Sequence, residues 1–158
     1  QSMLKINVYA VGTIKEKFYR DAINEYLKRL SRFAKVEIIE TPESKIQNGS
    51  IEAILNEEAN HILKKIKPGE YVILVDLHGK EYSSEDFSEY IKRHLDSGTS
   101  PISFIIGGTL GLGNELRNIA KDKICLSKMT FTHQMTRVIL LEQIYRGFKI
   151  INNESYHH

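Results

Sequence analysis

The amino-acid sequence predicts an α/β fold: a mostly parallel sheet with helices on both faces. Three observations carry this. Short apolar or alternating runs recur at residues 4–11, 35–40, 71–77, 102–106 and 124–126, each suited to a strand. Between them lie stretches with 3.6-residue apolar periodicity, and strict alternation of the two element types fits crossover connections. The run at 71–77 (YVILVDL) is almost unbroken in apolar character, the mark of a strand covered on both faces.

The elements follow in order. Leu4, Ile6, Val8 and Ala10 share one face of the first strand, which Gly12 ends. Over 18–32 the apolar positions Phe18, Tyr19, Ala22, Ile23, Tyr26, Leu27 and Leu30 form a helical stripe. Strand 35–40 stops at Thr41-Pro42, and residues 43–50 make a polar connection. Ile51, Ile54, Leu55, Ala59, Ile62, Leu63 and Ile66 mark a second helix, closed by Lys67-Pro68-Gly69. After strand 71–77, His78-Gly79 is expected to turn the chain. Ser83 with Asp86 has the spacing of a capping box and opens a helix with Phe87, Tyr90, Ile91 and Leu95 inward, ending near Gly98. Strand 102–106, a short helix, strand 124–126 and a long helix over 134–151 complete the order. No repeat or linker divides the chain, so one domain is expected over 1–158. Gln1-Ser2 reads as a remnant of recombinant expression ahead of a natural start at Met3.

Composition excludes several classes. A chain of 158 residues with 41% hydrophobic content can build a core of its own, which rules against disorder. No run approaches the roughly 18 apolar residues of a membrane span, and no signal peptide is evident, so a cytoplasmic location without membrane contact is expected. Cys125, the single cysteine, cannot form an internal disulfide and reads as a buried thiol in preference to a nucleophile. No Cys/His spacing suggests a metal, and none is expected. A formal charge of +2 is too small to argue for nucleic acid, but residues 101–158 hold a net +3 against −1 in the remainder. A phosphate-bearing partner is compatible with that asymmetry.

The carboxyl-terminal third concentrates the chemistry. Gly107, Gly108, Gly111 and Gly113 follow directly on a buried strand, where missing Cβ atoms allow either a tight turn or close approach of a ligand. The spacing is neither G-x-G-x-x-G nor a P-loop, and strand 124–126 ends in Ser127 with no acid to hold a ribose. Residues 127–134 (SKMTFTHQ) are poor in ordinary loop residues. Met129 and Phe131 suit either a cover for a flat aromatic ligand or a plug at the core edge. His133 is read first as satisfying the helix start. The helix over 134–151 is apolar nearly all round, leaving a narrow strip for Arg137, Glu142 and Arg146. Such a helix needs burial on two sides, which predicts a homodimer. Arg146 and Glu142 are suited to pair or to serve a ligand. The tail 152–158 (NNESYHH) either frays or lends an aromatic and titratable groups to a site.

The pattern IIGG-x-x-G, then LSKMTF-x-HQ, then RVILLEQIYR and a terminal Tyr-His resembles the ribosomal RNA large subunit methyltransferase H family, a minimal branch of the SPOUT class. AVGTIKEKFYRDAINEYLKRL and LHGKEYSSEDF share the likeness, which therefore spans the chain. The resemblance implies S-adenosyl-L-methionine as methyl donor, a homodimer and a carboxyl-terminal trefoil knot. It also implies N3-methylation of a pseudouridine in 23S rRNA of the assembled ribosome. A non-catalytic RNA- or ribosome-binding protein on the same fold is the alternative.

Carried over by matching positions, the resemblance assigns donor contacts to Val75, Gly107, Gly108, Leu126, Ser127, Lys128, Met129, Thr130 and Phe131. It places Arg137, Arg146, Tyr156 and His157 on the substrate side, with Arg146, Tyr156 and His157 expected to be catalytic and Arg137 to contact substrate; His133 and His158 are the further candidate substrate contacts. The last position departs from the pattern: the family commonly ends in Lys or Arg, so His158 implies a weaker, pH-dependent grip on phosphate.

Overall fold

The computed structural model describes residues 3–155. Five strands, β1 (Leu4–Val11), β2 (Ala34–Thr41), β3 (Tyr71–Glu81), β4 (Ile102–Ile106) and β5 (Asp122–Cys125), alternate with helices α1 (Lys17–Leu30), α2 (Ile51–Leu63), α3 (Ser84–Ser97), α4 (Asn114–Ile119) and α5 (His133–Ile151). All four strand pairings are parallel, in the order β2-β1-β4-β3-β5. The chain steps leftward and rightward across the sheet in turn. Crossovers of one hand therefore deliver successive helices to opposite faces. Accordingly α1, α3 and α5 bury Ile23, Leu30, Phe87, Ile91, Leu140 and Ile144 against one face, while α2 and α4 bury Ala59, Ile62 and Leu116 against the other.

Side-chain caps fix three helix starts. Ser50 accepts from the Ala53 N–H, Ser83 from Asp86 and Thr132 from Met135, satisfying donors the helices leave open. Gly98 ends α3 at φ 71°, a left-handed cap that glycine adopts without a Cβ penalty.

Two expectations are corrected. His78-Gly79 does not end the third strand; β3 runs on to Glu81, with a register shift against β5 between Val75 and Lys80. Gly79 is needed for contact, not for a turn. A Cβ there would lie 2.6 Å from the Ile124 backbone nitrogen. The last strand is Asp122–Cys125, not 124–126. Asp122 is held in the sheet because both Tyr71 and Tyr90 donate hydroxyls to its Oδ2, at 2.6 Å each. Leu126 leaves the sheet where the Cys125 thiol donates to the Ser127 carbonyl at 3.1 Å.

Candidate active site

The carboxyl ends of β3, β4 and β5 meet at Val75, Ile106 and Cys125, since parallel pairing sets Val75 opposite Ile106 and Ile124. A cleft of about 600 Å³ opens above them. That volume is in the range of small-molecule sites, and the ends of parallel strands are their usual place. Residues 76–79, pushed out of register, form one wall with Asp76, Leu77 and His78. The glycine loop 107–112 forms the second, and Leu126, Ser127 and residues 129–132 with the first turn of α5 form the third.

Eight of the nine expected donor contacts line this cleft: Val75, Gly107, Gly108, Leu126, Ser127, Met129, Thr130 and Phe131. Lys128 does not; its ammonium points outward, 3.8 Å from Glu81. Met129 is 76% exposed and Phe131 38%, so neither plugs the core. Both stand at the rim with the exposed Leu77 and Leu110. The Ser127 hydroxyl accepts from the Met129 N–H at 3.0 Å and curls the loop.

The glycines do separate jobs. Gly108 bridges to Gly111, which has φ +93°, closing a small loop. A Cβ on Gly107 would sit 2.7 Å from the Gly111 carbonyl carbon, and one on Gly108 would press Glu58 Oε1 and Val11 at 3.2 Å. The loop thus folds tightly on itself and leaves its bare backbone at the cleft.

His133 lines the cleft and is relieved of the helix start, because Thr132 makes the cap. That corrects the first reading of this residue. Arg137 is corrected the other way. Its side chain is 1% exposed and lies outside the cleft. It pairs with Glu40 at 2.5 Å and donates to the Gly12 and Val11 carbonyls at 2.8 and 3.3 Å. Glu40 also accepts from the Ile14 N–H at 3.1 Å, so Arg137 fastens α5 to the loop after β1. A guanidinium spent this way is not presented to a substrate.

Arg146 also lies outside the cleft, paired with Glu142 at 3.0 Å. It is 13 residues beyond His133 on one helix, about 20 Å along the axis. Cys125 is buried at the cleft floor as read. Tyr156, His157 and His158 lie outside the described residues.

Sequence reasoning missed Asp76 and Arg117, the two side chains of fixed charge in the lining. Arg117 reaches from α4 to Asp76 with both terminal nitrogens, Nη1 to Oδ2 at 2.5 Å and Nη2 to Oδ1 at 3.4 Å. Burial pushes the Asp76 carboxyl up, but the hydrogen bond and charge of Arg117, with the His78 N–H, outweigh it and hold the group below the ordinary carboxylate value. A signal existed: Asp76 is the only charge in a run read as buried on both faces.

Among the described residues no cluster of His, Cys, Asp and Glu is suited to a metal ion, and no helix is long and apolar enough to cross a membrane.

The family model described as "Predicted SPOUT methyltransferase" matches residues 4–157. The chain is 48% identical to the ribosomal RNA large subunit methyltransferase H of Ruminiclostridium cellulolyticum, over 98% of this chain and 99% of that one. It is 49% identical, with the same coverage, to ribosomal RNA large subunit methyltransferase H 1 of Clostridium perfringens. The crystal structure of a probable methyltransferase from Bordetella pertussis superposes with a TM-score of 0.58 at 10% identity, covering 91% of this chain and 96% of that one, a likeness of fold alone. Near-complete coverage at nearly half identity, on a fold that places the glycine loop and the 126–131 segment around one cleft, gives one conclusion: the chain belongs to the SPOUT methyltransferase family, among the ribosomal RNA large subunit methyltransferase H proteins.

Proposed function

We propose that this protein is an S-adenosylmethionine-dependent methyltransferase that acts as a homodimer on N3 of a pseudouridine in 23S rRNA of the assembled ribosome. The observation that carries the reading is the convergence of Gly107, Gly108 and residues 126–131 on one cleft, in a chain whose relatives are named as rRNA large subunit methyltransferases. The residues fit the donor. Val75, Ile106 and Leu126 give an apolar floor, the glycine loop gives bare backbone, and Met129 and Phe131 stand ready to cover an adenine ring. When bound, the donor supplies an electrophilic methyl group on a sulfonium, and no metal is required. The chain must hold methyl and nucleophile in line, exclude water and accept the imide proton of N3.

Two groups suit the proton and the developing anion: His157 as base and Arg146 as an electrostatic partner. Arg146 does not line the cleft of its own chain, and His157 lies outside the described residues. Glu154 is tied to Arg32 at 3.0 Å and to Lys149 at 2.8 Å. Lys149 is about 24 Å along α5 from His133. The four residues after Glu154 span at most about 14 Å. In this reading the partner supplies Arg146 and the tail to each cleft. Val138, Ile139 and Ile150, half-buried on α5 of one chain, support a helix surface that a second copy completes. The knot implied by the family fits a chain that leaves β5 at the sheet edge and returns as α5 on the face opposite α4. Cytoplasmic location follows from the ribosome as substrate.

The test uses purified protein, labelled donor and ribosomes from a strain lacking the gene, with the modified nucleoside located by mass spectrometry. One methyl group on N3 of a 23S pseudouridine is expected. Ribosome binding without methyl incorporation would replace the enzyme with a non-catalytic binding protein. Absence of donor binding in titration calorimetry would sink the reading outright.

A further inference from the structure

The cleft contains one anion and one cation of fixed charge, and they touch. Asp76 sits at the start of the out-of-register wall of β3 with its side chain 9% exposed; Arg117 rises from α4, just beyond the glycine loop, 28% exposed. Each terminal nitrogen of Arg117 gives one N–H to Asp76. A guanidinium carries five N–H groups, so three remain, and among the described residues they have no acceptor. The guanidinium plane is fixed from behind by a carboxylate, so a second carboxylate could be gripped at little ordering cost. The rest of the lining is apolar, neutral or histidine.

The geometry points to the Asp76–Arg117 pair as the receptor for the amino-acid end of the bound donor. Arg117 takes the α-carboxylate, and Asp76 faces the α-ammonium. This rests on the donor-pocket reading above and deepens it, since a zwitterion requires one charge of each sign side by side. A wall-to-wall prop is the competing role, because the pair also joins the β3 wall to α4. The two roles differ in one respect: a prop serves any ligand of the cleft, while a receptor serves only ligands that carry the amino-acid end.

Titration calorimetry on the full chain separates them, with S-adenosylhomocysteine and 5′-methylthioadenosine, which lacks that end, as probes. Arg117→Gln should weaken S-adenosylhomocysteine about 10- to 100-fold, the loss of a charged hydrogen-bonding group. The same change should leave 5′-methylthioadenosine within about threefold, on the ordinary scale of an uncoupled site. Asp76→Asn should show the same selectivity with a smaller loss. If Arg117→Gln fails to fold by circular dichroism, Arg117→Lys keeps the charge without the fork and should still lose S-adenosylhomocysteine selectively. Equal losses for both probes, or no loss for either, would overturn the inference. A wild-type chain that binds neither probe would instead remove the donor-pocket reading beneath it.

Discussion

Replacing Arg137 with methionine tests whether this buried cation is a fastener or a substrate contact. The change removes the ion pair to Glu40 and the two hydrogen bonds to the Val11 and Gly12 carbonyls while keeping most of the volume. Breaking a buried pair by removing one partner costs about 3–5 kcal/mol. Two features favour the low end. Glu40 is 37% exposed and regains water when its partner goes. The Arg137 Nε is already buried without a partner among the described residues, so its removal relieves a cost. About 3 kcal/mol is therefore expected, and a Tm lower by roughly 6–12 °C for a chain of this size. Equilibrium denaturation at fixed protomer concentration, followed by circular dichroism, measures it. Arg137→Lys should recover part of the loss, because a lysine restores charge without the fork that serves Glu40 and Gly12 together. Stability within about 0.5 kcal/mol of the wild type, together with lost methylation, would return Arg137 to the substrate and refute this account.

Four further outcomes follow. Gly79→Ala would set a Cβ 2.6 Å from the β5 backbone; a loss of about 1–3 kcal/mol in the same denaturation assay is expected, and unchanged stability would contradict the strand contact. Gly107→Val should abolish donor binding by driving residue 107 and the Gly111 carbonyl apart within the 107–112 loop, so crystal or exchange data should show the loop displaced, not merely filled. Burial, with hydrogen bonds to Glu70 and Asp122, pushes the Tyr9 and Tyr90 hydroxyls well above their ordinary value. Their contribution is complete below about pH 10, the unfolded value, and is lost as pH rises toward the folded one, at about 1.4 kcal/mol per pH unit each. Urea titrations between pH 9 and 11 should show that fall, and Tyr90→Phe should flatten it. Removing residues 156–158 should leave calorimetric donor affinity unchanged and eliminate methylation of ribosomes; retained methylation would make the tail a bystander.

The sheet was legible because its strands are separated by strong helical periodicity, and periodicity is a local property. Ser83 with Asp86 and Gly98 marked α3 to the residue, since a cap is a short-range contact. What the sequence concealed was always a meeting of distant segments. His78-Gly79 has the composition of a turn, yet the glycine answers to a backbone more than forty residues away at Ile124. Asp122 lies ahead of the strand expected at 124–126, yet Tyr71 and Tyr90 hold it in the sheet. The resemblance joined the glycine loop to residues 126–131 as expected donor contacts, and the fold brings eight of the nine around one cleft; the charged pair between β3 and α4 was not found at all.

The three arginines of the carboxyl-terminal third show why residue type alone could not assign the site. Arg137 and Arg146 drew attention as polar interruptions on an apolar helix, whereas Arg117 sits on a six-residue helix with little periodicity to interrupt. Yet the partner decides the role. Arg137 meets two carbonyls and a carboxylate away from the cleft, which consumes its fork. Arg146 pairs with Glu142 on its own helix, about 15 Å along the axis beyond Thr136, where α5 leaves the cleft. Arg117 meets one carboxylate inside the cleft and keeps donors to spare. One cation type thus serves as fastener, as the residue proposed to act across a dimer, and as the group proposed to grip the donor. A single comparison separates them: only Arg137→Met should lower stability by several kcal/mol, only Arg117→Gln should distinguish ligands with and without an amino-acid end, and Arg146→Met should spare both while removing methyl transfer. Any two of these variants sharing one profile would break the assignment.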